Sequence, residues 1–192
     1  IATVLQVADY SAAQYLVIAT RSGMVKKTAL TDFDTNRVGG LIAINLKPED
    51  EVIAARLVDA TDSLLLVSHK GMSVRFSAAD DVLRPMGRAT AGVIGMRFRG
   101  SDDLLTMDVV REDAYVVTVT DGGYAKRTKV EEWSEKGRGG LGVRAMRLVE
   151  ERGKLVGALV CDETDEIYAI ASNGVVIRTR VAEIRATGRD TM

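Results

Sequence analysis

Four basic residues recur at one position of an internal repeat, and their chemistry indicates phosphate binding. Lys27, Arg75, Arg127 and Arg178 each lie four residues after a glycine that follows an apolar stretch. The four glycines are separated by 48, 52 and 51 residues. Regularly spaced cations suit a ligand with regularly spaced anions, and a nucleic-acid backbone is such a ligand.

A glycine-rich stretch in the third repeat is a second candidate for phosphate binding. Residues 137–142 read Gly-Arg-Gly-Gly-Leu-Gly and fit the pattern G-x-G-x-x-G. A dinucleotide-binding fold needs a buried strand before this pattern and a helix after it. Residues 130–136 are charged and residues 143–148 alternate like a strand, so we reject nucleotide binding. A flexible loop that presents Arg138, with backbone amides free to approach phosphate, fits these residues better.

The other polar and aromatic residues do not form a catalytic or metal-binding set. His69 and Cys161 are the only histidine and cysteine, which excludes an intramolecular disulfide and disfavours a zinc site. The acidic run at 162–166 lacks the spaced ligands of a calcium loop and is expected to be a hairpin tip. Trp133 and Tyr124 could stack on bases, but such aromatics more often pack one repeat against the next. We therefore expect no active site, no metal and no cofactor in this chain.

The composition is that of a globular domain without an overall basic character. Apolar residues make up 46% and charged residues 28% of the 192 residues, which is enough for a packed core. The net charge of -1 excludes a uniformly basic surface but allows local basic patches. No apolar run has the length of a membrane span. Without an initiating methionine or a signal peptide, the sequence is expected to be part of a larger cytoplasmic protein.

Short strands must position the bases, because each repeat contains four extended stretches and little helical periodicity. In the first repeat these are residues 1–7, 15–20, 24–28 and 41–46. The second stretch is nearly all apolar in every repeat, which predicts a strand buried on both faces, and the glycine after it predicts a hairpin turn. In the other three repeats the second stretch lies at 64–67, 115–119 and 167–171.

Four strands in each repeat predict propeller blades. The chain would be a single repeat domain over 1–192, with blades at about 1–51, 52–103, 104–154 and 155–192, the last incomplete. One turn of helix is expected at 80–86 and another at 130–135.

Alternation along a strand places the four recurrent bases on one face of the third strands. Blades arranged radially would present them at regular angles around a rim, and Gly-Arg pairs would add a second basic position per blade. Those pairs contribute Arg88, Arg138 and Arg189. Acidic residues gather at the links between repeats and in the first hairpin loops. A solvated strand face is the simpler interpretation of any one arginine, but solubility does not require recurrence at one position.

These repeat motifs resemble the C-terminal domain of DNA gyrase A. The resemblance covers essentially the whole chain, and the residues that carry it are Gly-Met-Val-Lys-Lys-Thr at 23–28, Arg127-Thr128, Val-Ile-Arg-Thr-Arg at 176–180, Glu183-Ile184 and Gly188-Arg189. It implies an all-β β-pinwheel, a propeller-like disc whose blades exchange strands, with about four of six blades present. It also implies that DNA wraps around a basic outer rim, so that the gyrase holoenzyme introduces negative supercoils with ATP.

The family's box motif, Gln-Arg-Arg-Gly-Gly-Lys-Gly (the GyrA box), has its nearest counterpart at residues 136–142. Four residues match and three differ: the matches are Arg138, Gly139, Gly140 and Gly142, and the differences are Lys136, Gly137 and Leu141. The box usually lies in the first of six blades. The resemblance therefore implies that this stretch is a second, degenerate box and that the first blade is missing.

The expected contacts with double-stranded DNA combine the third strands with the loops that follow them. The expected DNA-binding residues are Lys26, Lys27, Arg37, Arg75, Arg88, Lys126, Arg127, Lys129, Arg138, Arg178, Arg180 and Arg189. The resemblance implies that DNA cleavage belongs to the N-terminal part of DNA gyrase A, and that ATP and Mg are used elsewhere in an A2B2 holoenzyme with gyrase B. The protein would then lie in the bacterial cytoplasm, associated with the nucleoid.

Two alternatives remain open on the sequence. A protein-interaction propeller could share the fold without a DNA role, and the C-terminal domain of topoisomerase IV is similar but lacks a good box. The repeated basic position favours DNA binding, because a protein-binding propeller need not repeat it in every blade. Eighteen arginines against eight lysines suggest a GC-rich, actinobacterial genome.

Overall fold

The computed structural model describes all residues, 1–192, and consists of β-strands, four short 3₁₀ turns and no α-helix. The strands are β1 Tyr15–Thr20, β2 Met24–Ala29, β3 Val52–Val58, β4 Ser63–Ser68, β5 Met72–Ser77, β6 Val93–Ile94, β7 Leu104–Val110, β8 Tyr115–Thr120, β9 Ala125–Lys129, β10 Val143–Arg144, β11 Leu155–Cys161, β12 Glu166–Ile170 and β13 Val176–Arg180. The 3₁₀ turns are Leu30–Phe33, Val130–Glu132, Glu150–Arg152 and Val181–Glu183. The all-β prediction is confirmed. The structure contains no helix with the length and apolarity that a membrane span requires.

Four antiparallel sheets follow one another along the chain, and neighbouring repeats exchange strands. The strand orders are β3-β1-β2-β6, β10-β5-β4-β7, β11-β8-β9 and β12-β13. The short strand β6 of the second repeat pairs with β2 of the first, and β10 of the third repeat pairs with β5 of the second. Backbone hydrogen bonds therefore tie each of the first two sheets to the next repeat, as the resemblance implied.

The sheets include strands from both sides of the divisions expected from the sequence. The strand β3 begins just after the division at residue 51, yet it pairs with β1 of the first repeat. In the same way β7 pairs with β4, and β11 pairs with β8. The strand after each link thus returns to the hairpin that precedes it.

Glycine is required at the hairpin turns for two reasons. Gly23 and Gly71 have φ of 83° and 77°, in the left-handed region that other residues adopt at a cost. The carbonyl of each accepts two amides from a later repeat, those of Gly95 and Met96 for Gly23. A Cβ at Gly71 would lie 2.7 Å from the carbonyl oxygen of Met146. The turn that closes each hairpin is therefore also a close contact between repeats.

Acidic residues at the links cap these hairpin turns. The Asp50 carboxylate accepts the backbone amide of Ser22 at 2.9 Å and the Ser22 hydroxyl at 2.5 Å. In the second repeat Asp102 accepts the amide of Lys70 at 2.9 Å and the hydroxyl of Ser68 at 2.6 Å. Burial by itself raises the pKa of Asp50, but the hydrogen bonds from Ser22 and its neighbours outweigh it and lower the pKa. The acidic clusters thus have a structural role in addition to solubility.

The core consists of three apolar clusters, each lying between consecutive repeats. The first joins β1 and β2 to β4, β5 and β7 and contains Phe76; the second contains Trp133. The indole nitrogen of Trp133 donates to the Ser73 hydroxyl of the preceding repeat at 2.7 Å, which confirms the prediction that this aromatic packs between repeats. The third contains Tyr115 and Cys161, and burial raises the pKa of the Cys161 thiol to about 11.

Three local predictions were wrong. Residues 1–7 and 41–46 form no strand, although 41–46 carry the pattern that forms β6 and β10. Those two strands pair with the third strand of the preceding repeat. The strand β12 is not buried on both faces, because Tyr168 is 62% and Ile170 is 72% exposed. Of the two expected helical turns, Val130–Glu132 forms and 80–86 does not.

Candidate nucleic-acid interface

The third-strand bases occupy equivalent places in the hairpins, but they do not form one exposed surface. Lys27 lies opposite Val17, Arg75 opposite Leu65 and Arg127 opposite Val117 in the strand pairs. Lys27 is fully buried, and only 11% of the Arg127 side chain is exposed. The expectation that these bases share a solvent-facing rim is therefore wrong.

The buried third-strand bases are used to join each repeat to the following one. Lys27 donates from Nζ to the Ala78 carbonyl and, at 2.6 Å, to the Asp80 carboxylate. Arg75 donates to the Trp133 carbonyl at 3.0 Å. Arg127 donates from Nε to the Ile184 carbonyl at 2.9 Å. Each acceptor lies in the turn that follows the third strand of the next repeat, so these cations satisfy backbone oxygens that strand pairing leaves free.

Lys26 and Lys126, also expected to bind DNA, are buried under the Gly-Arg loops. The Lys26 ammonium donates to the carbonyls of Ala43 and Arg88, and the Lys126 ammonium donates to those of Gly188, Arg189 and Thr191 at 2.7–2.9 Å. Burial lowers the pKa of both lysines from 10.5 to about 8. In this arrangement neither ammonium can reach a phosphate, and each instead fixes the shape of a loop.

The remaining expected contacts are more exposed, but two of them share an acidic partner. Arg178 and Arg180 both contact Glu166, with Arg178 Nε 2.8 Å and Arg180 Nε 3.8 Å from its carboxylate. Lys129 is exposed, with its ammonium 5.8 Å from the centre of the Tyr115 ring. Arg37 is exposed and Arg88 half-buried, and neither has an acidic partner within 4.0 Å.

The box-like loop, residues 136–142, is held against the second repeat by its backbone and by Arg138. The Gly139 amide donates to the Gly95 carbonyl at 2.6 Å, and Arg138 donates to the carbonyls of Val82 and Ile94 at 2.8 and 3.1 Å. Gly139 has φ of 78°. These bonds give the loop a defined shape and leave its other residues exposed.

The exposed part of the box-like loop offers hydrogen-bond donors and cations without an internal anion. The amides of Gly137, Arg138, Leu141 and Gly142 donate to no protein acceptor. None of the cations Lys136, Arg138 and Arg97, whose guanidinium donates to the Gly139 carbonyl at 2.6 Å, forms a salt bridge. Free amides next to guanidinium groups form a site for an oxyanion such as phosphate.

A groove of about 330 Å³ continues from this loop toward the fourth repeat. Its lining includes Arg75, Lys136, Leu141, Glu132 and Arg189. The lining is mainly polar and glycine-rich, so the groove is suited to a charged backbone rather than to an apolar ligand.

Comparison with known proteins identifies the family. The protein-family model described as DNA gyrase C-terminal domain, beta-propeller, matches residues 14–59, 62–111, 114–162 and 165–192. The chain belongs to this family. Each matched segment contains the main strands of one sheet, and the exchanged strands β6 and β10 lie in the segment that follows. The all-β pinwheel predicted from the sequence is confirmed.

Curated relatives and solved structures agree with the family. The chain is 59% identical over 197 residues to DNA gyrase A of Streptomyces coelicolor and 55% identical over 191 residues to that of Mycobacterium tuberculosis. Each alignment covers the whole chain and 23% of the relative, so the chain spans about a quarter of the length of these proteins. These relatives also fit the expected actinobacterial source.

The fold is similar to that of two solved C-terminal domains. The one from DNA topoisomerase IV has a TM-score of 0.89 at 28% identity, over 97% of this chain and 58% of the other. The one from DNA gyrase A has a TM-score of 0.86 at 29% identity, over 96% of this chain and 61% of the other. The fold therefore does not separate the two enzymes, whereas the identities of 55% and 59% favour gyrase.

Some exposed bases of this family member were not expected from the sequence. Arg84, Arg97, Arg99 and Arg185 are exposed and have no acidic partner. Arg84 and Arg185 directly follow Leu83 and Ile184, the buried residues that end their turns. In these two repeats a base that directly follows the last buried residue of a turn could have indicated an exposed contact. The sequence analysis concentrated on the third strands, and these bases lie outside them.

Proposed function

We propose that the chain binds double-stranded DNA without base specificity and wraps it, as the C-terminal domain of a DNA gyrase A protein. The observation that carries this proposal is the box-like loop. It combines free amides with Lys136, Arg138 and Arg97, and no acidic side chain neutralises these bases. This arrangement binds phosphodiesters, whereas specific base readout needs side chains fixed in a groove of the duplex.

The proposed contact set differs from the one expected from the sequence. Lys26, Lys27 and Lys126 are removed because they are buried. Arg75 and Arg127 are removed because they are only partly exposed and their donors face carbonyls of the next repeat. Arg88 and Arg189 are removed because they are half-buried. The proposed contacts are the exposed bases Arg37, Arg84, Arg97, Arg99, Lys129, Lys136, Arg138, Arg178, Arg180 and Arg185. Many modest contacts along a curved surface can offset the cost of bending DNA, which is on the order of 1–6 kcal/mol for 40–90° over a short site.

The activity of the complete protein is part of the same proposal. We infer a longer gyrase A protein that carries the cleavage chemistry outside this chain and assembles with gyrase B as A2B2. Such an enzyme would use ATP and Mg at other sites to introduce negative supercoils in the bacterial cytoplasm, in association with the nucleoid. The sequence identities to DNA gyrase A support this assignment over topoisomerase IV.

A salt titration of DNA binding tests the proposal. If the chain neutralises about six to ten phosphates, its affinity falls about 10³–10⁵-fold between 50 and 200 mM salt, and it is similar for unrelated duplexes. The double variant Lys136→Ala/Arg138→Ala should reduce the salt slope by about two units. An affinity that is independent of salt, or confined to one DNA sequence, would contradict the proposal and favour a protein-interaction propeller.

A matched control is available in Lys154. This lysine is exposed and forms no salt bridge, and its backbone pairs with Asp121 at the turn of the third hairpin, away from the groove. Lys154→Ala removes one exposed positive charge without touching the loop, so it should change the affinity much less than Arg138→Ala. Equal losses would show that only net charge matters.

A further inference from the structure

The Gly-Arg loop of the fourth repeat repeats the geometry of the box-like loop. Arg189 donates to the Arg144 carbonyl at 2.6 Å, just as Arg138 donates to the Ile94 carbonyl. Ile94 and Arg144 each lie two residues after the glycine that precedes the exchanged strand. The residues 188–191 therefore form a second loop of the same kind, one repeat further along the groove.

The two loops differ in what their donors contact. In the box-like loop the Arg138 amide has no acceptor, whereas in the fourth-repeat loop the Arg189 amide donates to the Glu132 carboxylate at 2.6 Å. At the corresponding place beside the box-like loop lies Val82. It accepts a hydrogen bond from Arg138 through its backbone carbonyl and has no carboxylate to bind the amide. A carboxylate therefore occupies in the fourth repeat a donor that is free in the third.

A second acidic residue, Asp190, pairs with two third-repeat arginines that lie beside the fourth-repeat loop. The Asp190 carboxylate lies 3.1 Å from Arg144 and 3.6 Å from Arg147. Asp190 directly follows Arg189, whereas Gly139 follows Arg138 in the box-like loop. The hydrogen bond from Arg144 lowers the pKa of Asp190, so this residue is an anion at neutral pH. Both loops border the same groove, since Glu132 and Arg189 line it together with Lys136 and Leu141.

We propose that the loop at 188–191, together with the neighbouring Arg144 and Arg147, is a second phosphodiester site. Glu132 holds it closed by accepting the Arg189 amide, and Asp190 does so by pairing with the two arginines. The carboxylate oxygens stand where phosphate oxygens would bind, because both are anionic acceptors for amides and guanidinium groups. The DNA backbone is then gripped at the box-like loop and contacts the next loop only if it displaces these two side chains. This inference rests on the proposed DNA binding and adds an internal restriction on how far along the groove the DNA is held.

The test converts the closed loop into the open one. The double variant Glu132→Ala/Asp190→Gly removes both carboxylates. Glycine is chosen at position 190 because a glycine, Gly139, follows the arginine in the box-like loop. With one additional phosphate contact, affinity for a short duplex should rise about 3–10-fold near 100 mM salt, and the salt slope should steepen by about one unit. In NMR spectra of the variant, DNA should shift the amide resonances of Gly188 and Arg189, and in the original protein it should leave them nearly unchanged.

The control variant removes two negative charges at a different place in the structure. Glu112 and Asp113 are exposed and form no hydrogen bond or salt bridge through their side chains, and Asp113 has φ of 57°, which glycine adopts readily. The variant Glu112→Ala/Asp113→Gly therefore matches the test variant in residue types and in net charge. If it raises the affinity as much as the test variant does, only net charge is involved and the proposal is overturned.

The outcomes separate this inference from the proposed function. If the original protein binds DNA and the opened variant binds no better than the control variant, the second site is refuted and the proposed function remains. If neither protein binds DNA, both are refuted. Because Glu132 and Asp190 also bridge two repeats, thermal unfolding of both variants is measured first, and the single variant Asp190→Gly provides the same comparison if the double variant unfolds.

Discussion

The arginine at the third-strand position should stabilise the fold where it reaches the next repeat. Arg75→Ala removes hydrogen bonds to the oxygens of Ser63 and Trp133, both 3.0 Å long, and a weaker one of 3.4 Å to Val130. Leaving a buried acceptor without its donor costs about 1–3 kcal/mol. The two well-formed bonds therefore predict a loss of about 2–6 kcal/mol in the free energy of unfolding.

Arg178→Ala is the matched control, because Arg178 has the same position in its hairpin and a different environment. Its guanidinium contacts Glu166 in the same hairpin, and its side chain is 61% exposed. Exposed ion pairs contribute about 0–1 kcal/mol. We therefore expect Arg178→Ala to unfold at nearly the same urea concentration as the original protein.

Urea unfolding followed by circular dichroism measures both variants, and DNA affinity is measured where each protein is fully folded. Arg75→Ala should lower the unfolding midpoint strongly and leave the affinity of the folded protein nearly unchanged. The reasoning would be refuted if Arg75→Ala changed stability by less than about 0.5 kcal/mol and weakened DNA binding. That result would mean that the Arg75 side chain faces DNA in solution and does not join two repeats.

Three further predictions concern titration and backbone geometry. The folded state lowers the pKa of Lys126 to about 8, so between pH 8 and 10.5 it binds fewer protons than the unfolded state. The stability of the original protein should therefore rise with pH relative to Lys126→Met over this interval, as measured by urea unfolding at several pH values. The folded state lowers the pKa of Asp50, so its stabilising contribution is present above the unfolded value of 3.8 and is lost as pH falls through the folded value. Asp50→Asn should be less stable at neutral pH and lose less stability on acidification, in acid titrations followed by circular dichroism. Gly71→Ala should destabilise the protein more than Gly174→Ala in thermal unfolding, by about 3 against about 1 kcal/mol, because both have positive φ but only the Cβ at position 71 meets a backbone oxygen.

The repeat, the hairpins and the all-β class were predictable because they depend on residues close together in the sequence. A glycine with positive φ closes each hairpin, and an apolar run such as Leu64–Val67 precedes it, so local conformation and burial agree. The sequence predicted the positions of the exchanged strands but not the strands with which they pair. The strands β6 and β10 show why, since each pairs with the third strand of the preceding repeat, which is distant in the sequence.

The tertiary structure decided where the charged side chains lie. Arg75, Arg127 and Arg178 occupy the same place in their hairpins, yet the first two donate to the next repeat and the third pairs with Glu166 in its own hairpin. The two Gly-Arg loops likewise differ through Glu132, which precedes Arg189 by 57 residues. The sequence by itself determined that bases recur at these positions. Whether each one is buried, neutralised or free depends on which oxygens the neighbouring repeat brings within hydrogen-bonding distance, and only folding determines those non-local contacts.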